Sequence, residues 1–233
     1  MLFGAAMLLV GCSPHADPAA ASPQQALNAE AAGKLDTYHQ LLRINNDQMV
    51  VEMGHDILDR YPNTPAAQEV QQSLPAIEQR YKISSEKSRL AALWLYQVSP
   101  MEGGTQSTAT IDSSQPAGDG RVRLVLRRHT QWGQNVFLYG AGHGFVCRGN
   151  CTVAATIDGR AVAIKAFAPT TGEPALMIRD DKPFVAMLQK AKRITLNVTL
   201  VDGEKKQALV YEVAGFDGAK WAPLGKSAKH AQK

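Results

Sequence analysis

No charged side chain occurs in residues 1–11. The apolar stretch there is too short for a membrane-spanning helix, which takes about 20 residues. No lysine or arginine precedes Cys12. Cysteine is scarce, with Cys12, Cys147 and Cys151 the only three. Catalytic signatures are missing as well: there is no Gly-x-Ser-x-Gly, no His-Glu-x-x-His and no Cys-Gly-Ser-Cys. Asp158, Asp180, Asp181 and Glu204 all fall at expected turns or helix caps, so no catalytic carboxylate pair stands out. Basic residues are scattered without an interleaved aromatic stripe, which removes the footprint of a nucleic-acid binder. The net charge is +4, but Lys226, Lys229 and Lys233 supply three of those charges at the extreme end, so the body is nearly neutral.

What is present begins with Leu8-Leu9-Val10-Gly11-Cys12, closing the apolar run. A small residue directly before a cysteine at the end of such an h-region resembles the lipobox of bacterial lipoproteins. The resemblance implies that residues 1–11 are a signal peptide, that cleavage falls after Gly11, and that Cys12 is diacylated and holds the chain on a lipid bilayer. Ser13 stands where some Gram-negative lipoproteins carry an aspartate that retains them in the inner membrane, which implies the periplasmic face of the outer membrane. Residues 12–32, rich in Ala, Pro, Ser and Gln, read as a flexible tether.

Residues 33–98 read as helical. Leu35, Tyr38, Leu41 and Leu42 recur at helical spacing, as do Val50, Met53, Ile57 and Leu58, and then Val70, Leu74, Ile77 and Tyr81. Thr64 is placed to cap a helix that has Pro65 at its first position. Pro75 should kink or split that helix, and residues 85–98 read as a last helical stretch. The phrase Arg60-Tyr61-Pro62-Asn63-Thr64-Pro65-Ala66-Ala67 resembles the inter-helix turn of tetratricopeptide-like envelope lipoproteins. No second copy follows at a 34-residue period, so the region is expected as a helical hairpin or small bundle.

Residues 99–120 concentrate Pro, Gly, Ser and Thr and read as a linker, with a short strand at 108–111. From Arg121 the period becomes two: Val122, Leu124 and Leu126 alternate with Arg121, Arg123 and Arg127. Further strands are expected at 135–139, 152–157, 161–167, 175–178, 194–201 and 208–213, with one helix inserted at 183–192. The spacing argues an antiparallel β-sandwich over 121–221, then a basic disordered tail at 222–233. The fold class expected is therefore α+β: an N-terminal α-helical region, then a C-terminal antiparallel β-sandwich with one inserted helix. This half also resembles an uncharacterised β-rich domain of exported Gram-negative proteins, through Gly144-Phe145-Val146-Cys147, Cys151-Thr152-Val153, Ile157-Asp158-Gly159, Leu176-Met177-Ile178 and the closing Val213-Ala214-Gly215-Phe216. That resemblance implies a fold and no activity.

Cys147 and Cys151 flank the turn residues Gly149-Asn150 and form an even pair in an exported chain. A disulfide pinning a hairpin over 145–153 is the expectation. The competing reading adds His143, four residues earlier, as a third metal ligand beside the two sulfurs. His143, in a glycine-rich loop, and Trp132, between two strands, are the candidate binding residues; no catalytic residue, metal site or cofactor is assigned. The function expected is a non-catalytic binding module in the cell envelope, with an envelope protein or the cell wall as partner and no nucleic acid. Two alternatives stand: a metal-binding or enzymatic domain using His143, Cys147 and Cys151, and a periplasmic inhibitor or immunity protein.

Overall fold

The computed structural model describes residues 22–117, 120–140, 142–147 and 149–224. Cys12, the signal peptide at 1–11 and nearly all of the basic tail lie outside them. The chain divides into two compact units at Ile83/Ser84. Among the described residues no helix is long and apolar enough to cross a membrane.

The first unit is built from α1 (Pro23–Arg43), α2 (Asp47–Arg60) and most of α3 (Pro65–Ala92). Each start has a chemical reason. Ser22 Oγ accepts from the Gln25 amide while the Gln25 side chain accepts from the Ser22 amide, a capping box with Pro23 behind it. Asn46 Oδ1 accepts from the Met49 amide, and Thr64 Oγ1 from the Ala67 amide at 3.2 Å, with Pro65 at the first helical position. Tyr38, Val50, Ile57, Val70, Leu74 and Ile77 form the core. Two expectations are corrected. Residues 23–32, read as tether, are helical, because the capping box opens a helix through an alanine-rich stretch and buries Ala31 completely. Pro75 does not split α3; it removes one backbone bond, while Val70, Leu74 and Ile77 stay buried on both sides of it.

The second unit contains the end of α3, nine strands and α4 (Asp181–Leu188). The strands are β1 (Leu95–Met101), β2 (Gly104–Asp112), β3 (Arg123–His129), β4 (Gly133–Tyr139), β5 (Asn150–Ile157), β6 (Arg160–Phe167), β7 (Ala175–Ile178), β8 (Arg193–Thr199) and β9 (Lys206–Glu212). All pairings are antiparallel, in the order β1-β2-β3-β4-β7-β6-β5-β8-β9. The fold is α+β with a sandwich-like antiparallel C-terminal part.

The stretch read as a linker is the largest correction. Helix ends at Ala92, and residues 95–112 form a hairpin of β1 and β2 turning at Glu102-Gly103. Gly103 adopts a φ of 76°, which suits a two-residue hairpin turn. The Ser and Thr that suggested a loop are strand residues here, a role threonine fills readily. The expected hairpin over 145–153 is also not formed. Phe145 bridges Leu200 instead, and β5 pairs with β6 and β8.

The sheet folds over so that its inner faces share one core. Leu124, Leu126, Leu138, Leu176, Leu196 and Leu209 are fully or almost fully buried there; burying each contributes about 1.5–3 kcal/mol. The chain after β2 then reaches β9: Ser114 N donates to Val210 O at 2.7 Å and Val210 N to Gln115 O at 3.0 Å. Tyr211 donates its hydroxyl to Val122 O, and burial pushes that phenol far above its ordinary range. Trp221, also fully buried, donates from Nε1 to Ser107 O at 3.1 Å, and the Arg128 guanidinium lies 3.7 Å from its ring centroid.

Two glycines test the packing. A Cβ on Gly215 would sit 2.1 Å from the Leu90 carbonyl oxygen, which is backbone and has no freedom to rotate away. A Cβ on Gly54 would meet Leu74 Cδ1 at 2.7 Å, the movable tip of a side chain. Gly215→Ala is expected to lower stability in urea denaturation by about 1–3 kcal/mol or more. Gly54→Ala should be near neutral, since helix propensity returns about 1 kcal/mol against the crowding.

Candidate functional site

Outward-facing side chains of β3, β4, β7 and β6 form a two-row band. The first row follows from register. Val125 pairs with Phe137, Phe137 with Met177, and Met177 with Phe167. The second row lies one step along each strand. Arg127 pairs with Asn135; the same register, carried one residue beyond the last paired residues, sets Arg179 next. Arg179 N donates to Lys165 O at 2.9 Å, and Lys165 pairs with Thr152. A mainly aromatic row therefore runs beside a row carrying Arg127, Arg179 and Lys165.

Between them is a cleft of about 390 Å³, walled by Phe137, Phe167, Met177, Tyr139, Met101 and Arg127. A second hollow of about 360 Å³ follows at Lys165, Arg179 and Asn150. Tyr139 and Trp132 are about half exposed. The guanidinium carbon of Arg127 stands 5.3 Å from the Trp132 ring centroid and 5.1 Å from that of Phe137. Arg179 stands 5.0 Å over Phe167. Such contacts hold the cations against the rings without neutralising them.

The band is short of acceptors. Arg127 Nη2 donates to Asn135 Oδ1 at 3.1 Å, but its buried Nε has no partner. Burial pulls the Arg127 guanidinium below its ordinary range, yet it stays a cation at neutral pH. His129 Nδ1 accepts from the Gln131 and Trp132 amides, which leaves Nε2 to carry the proton of the neutral ring, and that buried Nε2 is also unpartnered. Arg179 donates to Asn150 Oδ1. Among the described residues, no ion pair involves Arg127, Arg179 or Lys165.

The residues singled out in the sequence fall in three places. Trp132, at the β3–β4 turn, joins the band: its ring stacks on His129 at 3.9 Å between centroids. Cys147 and Cys151 form a disulfide with Cα atoms 5.6 Å apart, a closure worth about 2 kcal/mol in the chain-entropy model for so small a loop. With both sulfurs in that bond, neither is a thiolate ligand, and the metal reading loses two of its three donors. His143 is held instead by Asp202, with Nδ1 at 2.5 Å from Oδ1 and its amide donating to Oδ2 at 3.1 Å. Cys12 lies outside the described residues. Arg127, Phe137, Phe167, Met177, Lys165 and Arg179 were not singled out, although the alternation at 121–127 had already set Arg127 on the outward face.

The exposed His143–Asp202 pair has a pH signature. Hydrogen bonding to the carboxylate raises the His143 pKa, and the reciprocal bond lowers that of Asp202. The pair's support for the β8–β9 connection is therefore present while His143 is protonated and Asp202 ionised. It is lost as pH rises through the raised histidine value, or falls through the depressed carboxyl value. In an NMR titration the His143 ring should titrate above the ordinary value of about 6.5. Asp202→Asn should bring it back to that value; an unchanged midpoint would mean the pair does not form in solution.

No protein-family model, curated protein or solved structure matches the chain.

Proposed function

We propose that this chain is a lipid-anchored, periplasm-facing envelope protein whose β unit is a non-catalytic binding module. The observation that carries the binding role is the row of Arg127, Arg179 and Lys165 beside a half-open aromatic cleft. A sheet face that serves only structure has no use for cations without counter-charges, nor for buried donors without acceptors, each of which costs about 1–3 kcal/mol. Aromatic, arginine and methionine side chains in one patch are also the residue types enriched where proteins bind partners. The anchor rests on the Leu8-Leu9-Val10-Gly11-Cys12 motif, and Ser13 favours the outer membrane.

Both halves are open to test. With an acylated Cys12, the wild-type chain is held in the membrane fraction, because multiple acyl chains anchor far more firmly than one. Cys12→Ser should move it to the soluble fraction, and persistence with membranes would remove the anchor. For the binding face, a photo-cross-linking amino acid placed at Tyr139 should give discrete adducts in intact cells. Phe137→Ser, which removes the cleft floor, should abolish them. Adducts unaffected by Phe137→Ser, or none at all, would place binding elsewhere.

A further inference from the structure

The guanidiniums decide what the band can recognise. Phe137 and Phe167 each have an arginine over the ring, and Trp132 has both His129 and Arg127 against it. The π-faces are thus engaged by the protein's own cations. What points to a ligand is the set of N–H edges of Arg127 and Arg179 and the ammonium of Lys165. A guanidinium fork matches a carboxylate in bidentate fashion. The apolar cleft lies alongside this row, so the ligand carries apolar bulk next to its charge.

Spacing narrows the choice. Adjacent strands lie about 4.8 Å apart, so Arg127 on β3 is about 10 Å from the position of Arg179 on β7 and about 14 Å from that of Lys165 on β6. An extended peptide sets residues i and i+4 on one face about 13 Å apart, with i+2 between them. We propose that the band binds an acidic peptide segment of a partner protein, with one carboxylate on Arg127, a second on Arg179 and Lys165, and an apolar side chain in the Phe137–Met177–Phe167 cleft between them. This rests on the reading of the face as a binding surface and adds the chemistry of its partner. The two thioethers of Met101 and Met177 line the same cleft, and their flexible side chains adapt to varied apolar residues.

The probe is acetyl-Glu-Ser-Phe-Ser-Glu-amide, added to the full chain carrying Cys12→Ser and followed by tryptophan fluorescence and calorimetry. Trp132 is the exposed reporter, since Trp94 and Trp221 are buried. Binding should weaken about tenfold when both glutamates of the probe are replaced by glutamine, the equivalent of losing one charge-assisted contact. Raising salt should weaken it as well. Arg179→Gln, at an exposed position, and Arg127→Lys, which keeps the charge and loses the fork, should each weaken it about tenfold. Equal binding of the glutamine probe would overturn carboxylate recognition while leaving the face a binding surface. Preferential binding of an oligogalacturonate of equal charge would overturn the peptide as occupant. No response to either probe, in a chain whose Tyr139 cross-links still depend on Phe137, would overturn the acidic-peptide chemistry alone.

Discussion

The short ladder between residues 114–115 and Val210 is the contact on which the rest of the β unit depends. It joins the β2–β3 connection to β9, the last strand of the sheet. Without it, the nine strands would be an open ribbon with two apolar faces to choose from. With it, the sheet folds over, and Leu124, Leu138, Leu196 and Leu209 share one interior. Tyr211 and Trp221 reinforce the closure, each burying a ring while its polar atom finds a backbone carbonyl. Once the inner face is settled, every second residue of β3, β4, β7 and β6 points outward.

That outward face is where physical chemistry and stability part company. Surface arginines elsewhere in the chain have carboxylate partners: Arg80 with Asp47, Arg89 with Glu86 and Glu212, Arg123 with Asp112. Only three strand positions away from the Arg123–Asp112 pair, the band leaves its cations without such partners. The contrast is local and cannot be laid to an overall excess of positive charge, since the body is nearly neutral. Half-buried guanidiniums over aromatic rings retain their charge in a setting drier than bulk water, where an arriving anion is attracted more strongly than at an open surface. The energetic arrangement is that of a surface held ready for a complement.

Much of the fold was legible in the sequence because it is written in periods and caps. Val122, Leu124 and Leu126 announced β3, and Thr64 with Pro65 announced the start of α3. The disulfide followed from two cysteines four apart in an exported chain. Three misreadings share a cause: composition was taken for conformation. Pro, Ser and Thr at 99–112 suggested a linker, but cross-strand partners made them β1 and β2. The alanine-rich stretch before residue 33 suggested a tether, but a reciprocal cap at Ser22 and Gln25 made it helix. Pro75 suggested a break, but packing on both sides held α3 continuous. The band was out of reach for another reason. Arg127, Phe137, Lys165, Phe167, Met177 and Arg179 come from four strands, and β7 is inserted between β4 and β6 out of chain order. Alternation gives each residue a face, but only register gives it neighbours.

The insertion of β7 also has a mechanical side. β7 is four residues long and joins β6 through only two residue pairs, Ala166 with Ile178 and Phe167 with Met177. Its amides are the narrowest seam in an otherwise well-laddered sheet, with strands β1–β4 on one side and β5, β6, β8 and β9 on the other. Seams of this kind are where hydrogen exchange opens sub-globally before the whole unit unfolds. The band runs straight across it, with Arg127 and Phe137 on one bank and Phe167 and Lys165 on the other. Any ligand gripping both banks would act as a staple, turning two separately breathing halves into one cooperative body.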